Sequence, residues 1–209
     1  MSDPDLSFLF TDTLDPQRGL TEDDFAAAAE TLGIEVAMIK AVASVESPRG
    51  PFDPKGRPEI LFERHYFHRL TDGQFDQSDP DISNSSSGGY GKFSAQYGKL
   101  QRAYALAPDP ALRSASWGRF QIMGDNHEAA GFPSAAAFVQ AVTTSEAEHL
   151  NAFVNFVKSN SKMVSALRAK DWAGFARRYN GPGYEANQYD TKLKSAYDSF
   201  SAGNPPAQA

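Results

Sequence analysis

Apolar residues recur three and four apart in this chain, in short blocks separated by proline, glycine and serine, and this most constrains its fold. Ile34, Met38, Ala41, Val42 and Val45 form one such face, and Tyr97, Leu100, Tyr104 and Ala107 a second. Ala147, Leu150, Val154 and Val157 form a third, and Tyr189, Leu193, Tyr197 and Phe200 a fourth. That spacing puts each block on one side of a helix. Punctuation agrees with it. Thr21-Glu22-Asp23-Asp24 is an N-cap followed by acids, and Gly33 stops the helix that it starts. Ser47-Pro48-Arg49-Gly50-Pro51 ends the next helix, because proline disfavours helical geometry in the residue before it.

Between these blocks the pattern changes. Residues 51–58 read as a turn-rich loop, and 59–62 as a short strand or the entry to a helix over 63–70. A small hairpin is expected near 56–62. Residues 72–89, rich in Asp, Ser and Gly without apolar periodicity, read as a mobile surface loop. The expected organisation is an irregular arm over 1–20, one mainly α domain over 21–202 and a disordered tail over 203–209.

A length of 209 residues and a hydrophobic fraction of 41% suffice for a core without covalent staples. Cysteine is absent, which excludes disulfides, thiolate metal sites and cysteine nucleophiles. A formal net charge of −6 argues against nucleic acid or an anionic membrane as partner. No run of about 18 apolar residues suggests a membrane span. The acidic start Met1-Ser2-Asp3-Pro4-Asp5 lacks the pattern of a secretory signal, so synthesis in the cytoplasm without a signal peptide is expected.

Three places carry chemistry. Glu46 ends an apolar helix beside Val42 and Val45, where partial burial would raise its pKa toward the range of a general acid. A solvated helix-end glutamate is the plain alternative. Ser116-Trp117-Gly118-Arg119-Phe120-Gln121-Ile122-Met123 joins a glycine that permits close backbone approach to a polar Gln among bulky residues. A buried Gln121 needs hydrogen-bond partners, which either a sugar or the core can supply. Tyr179-Asn180-Gly181-Pro182 ends a helix in a sharp turn with tyrosines clustered around it.

In order, Glu46-Ser47, the Ser116–Met123 segment and Tyr179-Asn180-Gly181 resemble the motifs of the lysozyme and lytic transglycosylase superfamily. With Gly56-Arg57-Pro58-Glu59-Ile60-Leu61-Phe62-Glu63-Arg64-His65 added, the pattern is similar to the N-acetylmuramidase family of phage endolysins and related bacterial proteins. That resemblance spans about Thr21 to Phe200. It implies a lysozyme-like, two-lobed helical fold that cleaves the β-1,4 bond between N-acetylmuramic acid and N-acetylglucosamine in bacterial peptidoglycan. It implies Glu46 as proton donor, Glu63 as second carboxylate, and Ser116, Gln121, Tyr179 and Asn180 as substrate contacts. Tyr90 and Tyr97 are weaker candidates for stacking on sugar.

Glycoside hydrolysis usually needs two carboxyl groups in different environments. Beside Arg64, Glu63 is placed for an ion pair that would keep it ionised, and a merely structural contact with Arg64 or His65 is the alternative. A water between the two carboxyls would require an inverting separation of about 6.5–9.5 Å. No metal or cofactor is expected. His65 and His68 lack a third ligand, His127-Glu128 lacks the second histidine of a zinc protease, and Asp72, Asp76, Asp79 and Asp81 lack the glycine and glutamate of a calcium loop.

Two rivals stay open from sequence: a lytic transglycosylase, and a glycan-binding module without chemistry. The setting is open too. A phage endolysin released through holin lesions and a toxin delivered by a secretion system both fit, the latter with an immunity protein as partner. A monomer is expected.

Overall fold

The computed structural model describes residues 19–204, so most of the expected arm and tail lies outside the described residues. Thr21 opens α1 (Glu22–Leu32) with a capping box: its hydroxyl accepts from Asp24 N while Asp24 accepts from Thr21 N. Gly33 closes α1 at φ 62°, a left-handed conformation that favours glycine. α2 (Val36–Glu46) buries Met38, Ile39, Ala41, Val42 and Ala43 and ends at Ser47, just before proline.

Both readings of the next segment hold in sequence. β1 (Ile60–Phe62) is a strand, and α3 (Arg64–Leu70) follows after Glu63 alone. Next come α4 (Gln96–Leu106), α5 (Pro108–Arg113), β2 (Ala115–Trp117) and β3 (Ile122–Met123). The sheet is antiparallel in the order β1-β2-β3, with Ile60 opposite Trp117 and Ser116 opposite Met123. The hairpin of this sheet therefore joins β2 and β3. Near 56–62 there is a single bridge, Phe52 to Pro58, and β1 takes its partner from a strand some fifty residues on.

The chain then adds α6 (Ala135–Thr144), α7 (Glu146–Lys158), α8 (Ser161–Arg168), α9 (Trp172–Tyr179) and α10 (Tyr189–Ser201). Outside the four periodic blocks lie α1, α3 and α9, which other sequence signals mark, and three further short helices, α5, α6 and α8. These last three are named by their starts instead: Pro108 at the first position of α5, Ser134 capping α6 and Asn160 capping α8. Residues 72–89 are irregular, as expected, but well anchored. Ile82 is fully buried, Asp76 accepts from His68 at 2.8 Å and from Ser83 at 2.5 Å, and Asp81 pairs with Arg102.

Two groups of elements result. α3, α4, α5 and the sheet pack on one another, and α1, α2 and α7 to α10 form the other group, with α10 lying along α2. α6 bridges them, touching both α5 and α7. Trp117, Phe62, Phe67, Phe120, Phe138, Phe153 and Phe175 are fully buried, each worth about 1.5–3 kcal/mol of apolar transfer. Phe120 stacks on Phe153 at 4.4 Å, which fastens the end of the β2–β3 turn to α7. The two-lobed helical reading is thus the observed architecture, and the cleft lies between the lobes.

Candidate active site

A cleft of about 1550 Å³ runs between the two groups. That exceeds the roughly 300–1,000 Å³ of a small-molecule pocket and suits a polymer. Glu46, Tyr179, Asn180 and Tyr189 line it from the helical lobe, and Glu63, Tyr90, Ser116 and Gln121 from the sheet lobe. All seven residues of the expected site therefore face one space.

Glu46 is the last residue of α2, held where that apolar helix meets α10. Tyr189 donates its hydroxyl to Glu46 Oε1, and the Asn180 side chain also bonds the carboxyl. Burial outweighs both bonds and raises the carboxyl from 4.5 to about 8, although the bonds favour the charged form. At neutral pH this group holds a proton beside the cleft.

Glu63 stands between β1 and α3, its backbone N–H donating to Ser114 O at 2.8 Å. Its carboxyl is also raised, by burial first, with a bond from Tyr90 opposing. The expected ion pair with Arg64 is absent. Arg64 instead donates to the carbonyls of Ser86 at 3.0 Å and Ser87 at 3.4 Å, in the loop before Tyr90. His65 is the neighbour instead, with Nδ1 3.1 Å from Glu63 Oε2.

The other expected residues all have partners within the protein. Gln121 is satisfied within the protein: Nε2 donates to Glu59 O at 3.1 Å and Gly118 O at 2.8 Å, and Oε1 accepts from Ser116 Oγ at 2.6 Å. Ser116 and Gln121 thus brace the β2–β3 turn, with Gln121 itself at φ 47°. Tyr179 lines the cleft with its ring stacked on Phe175 at 5.1 Å, and its hydroxyl donates to Phe120 O at 2.6 Å. Tyr90 gives its hydroxyl to Glu63, which with burial pushes that phenol up to about 12. Tyr97 is not in the cleft. Its hydroxyl donates to Pro58 O at 2.7 Å and Arg57 lies 3.7 Å over its ring, so it is a packing residue.

Gly118 does permit close approach. At φ +68° a Cβ there would sit 2.5 Å from the His149 ring, which accepts from Arg119 N at 3.0 Å and donates to Val142 O at 2.6 Å. His68 pairs with Asp76, and among the described residues no cluster of three metal-ligating side chains is arranged around a point.

Residues 35–201 match the family model described as N-acetylmuramidase. The chain belongs to the N-acetylmuramidase family. It is accordingly a peptidoglycan hydrolase, a glycosidase of the bacterial cell wall. Among solved structures it is similar to a Burkholderia AP3 phage endolysin, at 44% identity and a TM-score of 0.79, covering 89% of this chain and 72% of that one. No curated protein matches.

Two residues of this muramidase's cleft escaped sequence reasoning. Tyr189 reads as a core position of a periodic helix, and only its meeting with Glu46 across 143 positions gives it a polar task. From sequence His65 reads as half a metal site or as a structural contact of Glu63. The signal for both was a polar atom on an otherwise apolar or motif-bearing segment, which sequence cannot aim.

Proposed function

We propose that Glu46 protonates the leaving glycosidic oxygen and that Glu63 activates the attacking water, making this a lysozyme-type muramidase of the two-carboxylate kind. The observation that carries the reading is Glu46 itself: a carboxyl at the cleft wall, raised to about 8, that holds its proton at the pH where it must give it up. Tyr189 and Asn180 orient it and take up the charge left after proton transfer. Glu63 lines the same cleft from the opposite lobe, so a glycan strand lying between the lobes has one carboxyl on each side.

Tyr179, Ser116 and Gln121 form the wall and floor that the sugar meets, and Tyr90 holds Glu63. The substrate is bacterial peptidoglycan, cut between N-acetylmuramic acid and N-acetylglucosamine. The likeness to a phage endolysin supports action on the cell wall after release; passage through membrane lesions, as a monomer, is part of our proposal. We propose this setting rather than delivery as a toxin with an immunity protein. Among the described residues no helix is long and apolar enough to cross a membrane.

Turbidity loss of purified sacculi, followed by mass analysis of the muropeptides, tests the reading. Reducing N-acetylmuramic ends from the wild type, with both Glu46→Gln and Glu63→Gln inactive, are expected. Anhydro products lighter by one water, with Glu63→Gln still active, would replace hydrolysis by the one-carboxylate transglycosylase route.

A further inference from the structure

Among the described residues, Glu63 Oε2 and His65 Nδ1 are the buried side-chain polar atoms without a hydrogen bond. They face each other 3.1 Å apart, close enough for a bond but not aligned for one. A carboxylate oxygen and a bare ring nitrogen at that distance repel, whereas one proton between them satisfies both. An unsatisfied buried pair elsewhere in the core would simply cost stability. Here it lines the cleft, where catalytic hydrogen bonds often tighten only when substrate fills the site.

We propose that His65 is a positioning residue for Glu63: as a neutral imidazole protonated on Nδ1, it donates to Glu63 Oε2 and keeps that carboxyl ionised and aimed at the attacking water. The inference rests on the reading of Glu63 as the base. It supplies what Arg64, committed to Ser86 and Ser87, does not.

The surroundings fit a neutral donor. Burial lowers the His65 pKa first, and the nearby charges of Arg69 and Arg64 lower it further, all in favour of the uncharged ring. Tyr66 packs edge-on against it with ring centres 4.9 Å apart and fixes its plane. The groups facing the pair are Tyr90, from the segment before α4, and Arg64, Tyr66 and Arg69, all from α3. Tyr90 supplies the other bond to the carboxyl. A neutral N–H donor stabilises the carboxylate without adding to the cleft a positive charge that would also favour ionisation of Glu46.

The experiment is the pH profile of sacculus lysis for the wild type, His65→Ala, His65→Asn and Glu63→Gln, with thermal melts to confirm folding. Without its donor Glu63 ionises less readily, so His65→Ala should move the acid limb of kcat/KM up by about one pH unit. His65→Asn places an amide N–H where Nδ1–H stood and should return the limb to the wild-type position. An unmoved limb in His65→Ala, with Glu63→Gln inactive, overturns the inference while leaving Glu63 as base. Full activity of Glu63→Gln overturns the base and this inference with it. Nitrogen-15 spectra of the wild type give an independent answer: Nδ1 protonated is expected, and Nδ1 bare with Nε2 protonated sinks the proposal.

Discussion

The two walls of the cleft handle a buried carboxyl in opposite ways. On the helical wall Tyr189 and Asn180 both bond Glu46, and burial still raises it to about 8. On the sheet wall Glu63 keeps one oxygen without a bond, facing His65 Nδ1 at 3.1 Å. The contrast teaches how one cleft gives two carboxyls different partners. Desolvation makes the first a reservoir of a proton, and an incomplete set of donors leaves the second open to a change in its partner.

The sharpest way to break this comparison is Glu46→Gln. Lytic activity should fall about a thousandfold, the scale of a lost general acid, with the fold kept. A linked stability effect follows from the sign of the shift. Glu46 binds its proton more tightly folded than unfolded, so its contribution is full below about pH 4.5 and is lost as pH rises through about 8. Above pH 8 the Gln variant should therefore be the more stable by about 2 kcal/mol, discounting for partial exposure, as read by urea unfolding across pH. Equal stability at every pH would deny the buried-acid picture.

Glu63→Gln comes next, with an expected loss of about a hundredfold at unchanged melting temperature. A variant within threefold of the wild type would reduce the second wall to structure. A smaller effect is expected of Tyr189→Phe. Removing a bond that favours the charged form raises Glu46 further, so the alkaline limb of the profile should move to higher pH, with under tenfold change in rate at neutrality. A limb that moves down instead would mean that Tyr189 does not stabilise the carboxylate.

Gln121→Ala sharpens the comparison from the sheet side. It strips partners from Glu59 O, Gly118 O and Ser116 Oγ together, so stability should drop by about 1–3 kcal/mol in denaturant titration. A raised KM with undisturbed stability would instead make Gln121 mainly a sugar contact.

Much of the fold was legible because helices announce themselves locally. Thr21 with Asp24, Gly33 and the Ser47-Pro48 break bound α1 and α2 where the structure does. The periodic faces over 97–107, 147–157 and 189–200 became α4, α7 and α10. α5, α6 and α8 were not visible as periodic stripes, since six to ten residues span too few turns for a face to stand out. The strand over 60–62 was legible as an alternative only, because three residues carry little pattern and its partner lies far along the chain.

The site divides along the same line. Residue type, order and spacing picked out side chains that share one cleft: Glu46, Glu63, Ser116, Gln121, Tyr179 and Asn180 all line it. Tertiary structure alone decided what each one touches. Arg64 adjoins Glu63 in sequence yet bonds loop carbonyls, and Tyr189 meets Glu46 from 143 residues away. Composition and periodicity act through the backbone's local preferences, which sequence states directly. Hydrogen-bond partners and pKa values depend on burial and on atoms brought together by packing, and those exist only once the lobes have closed on each other.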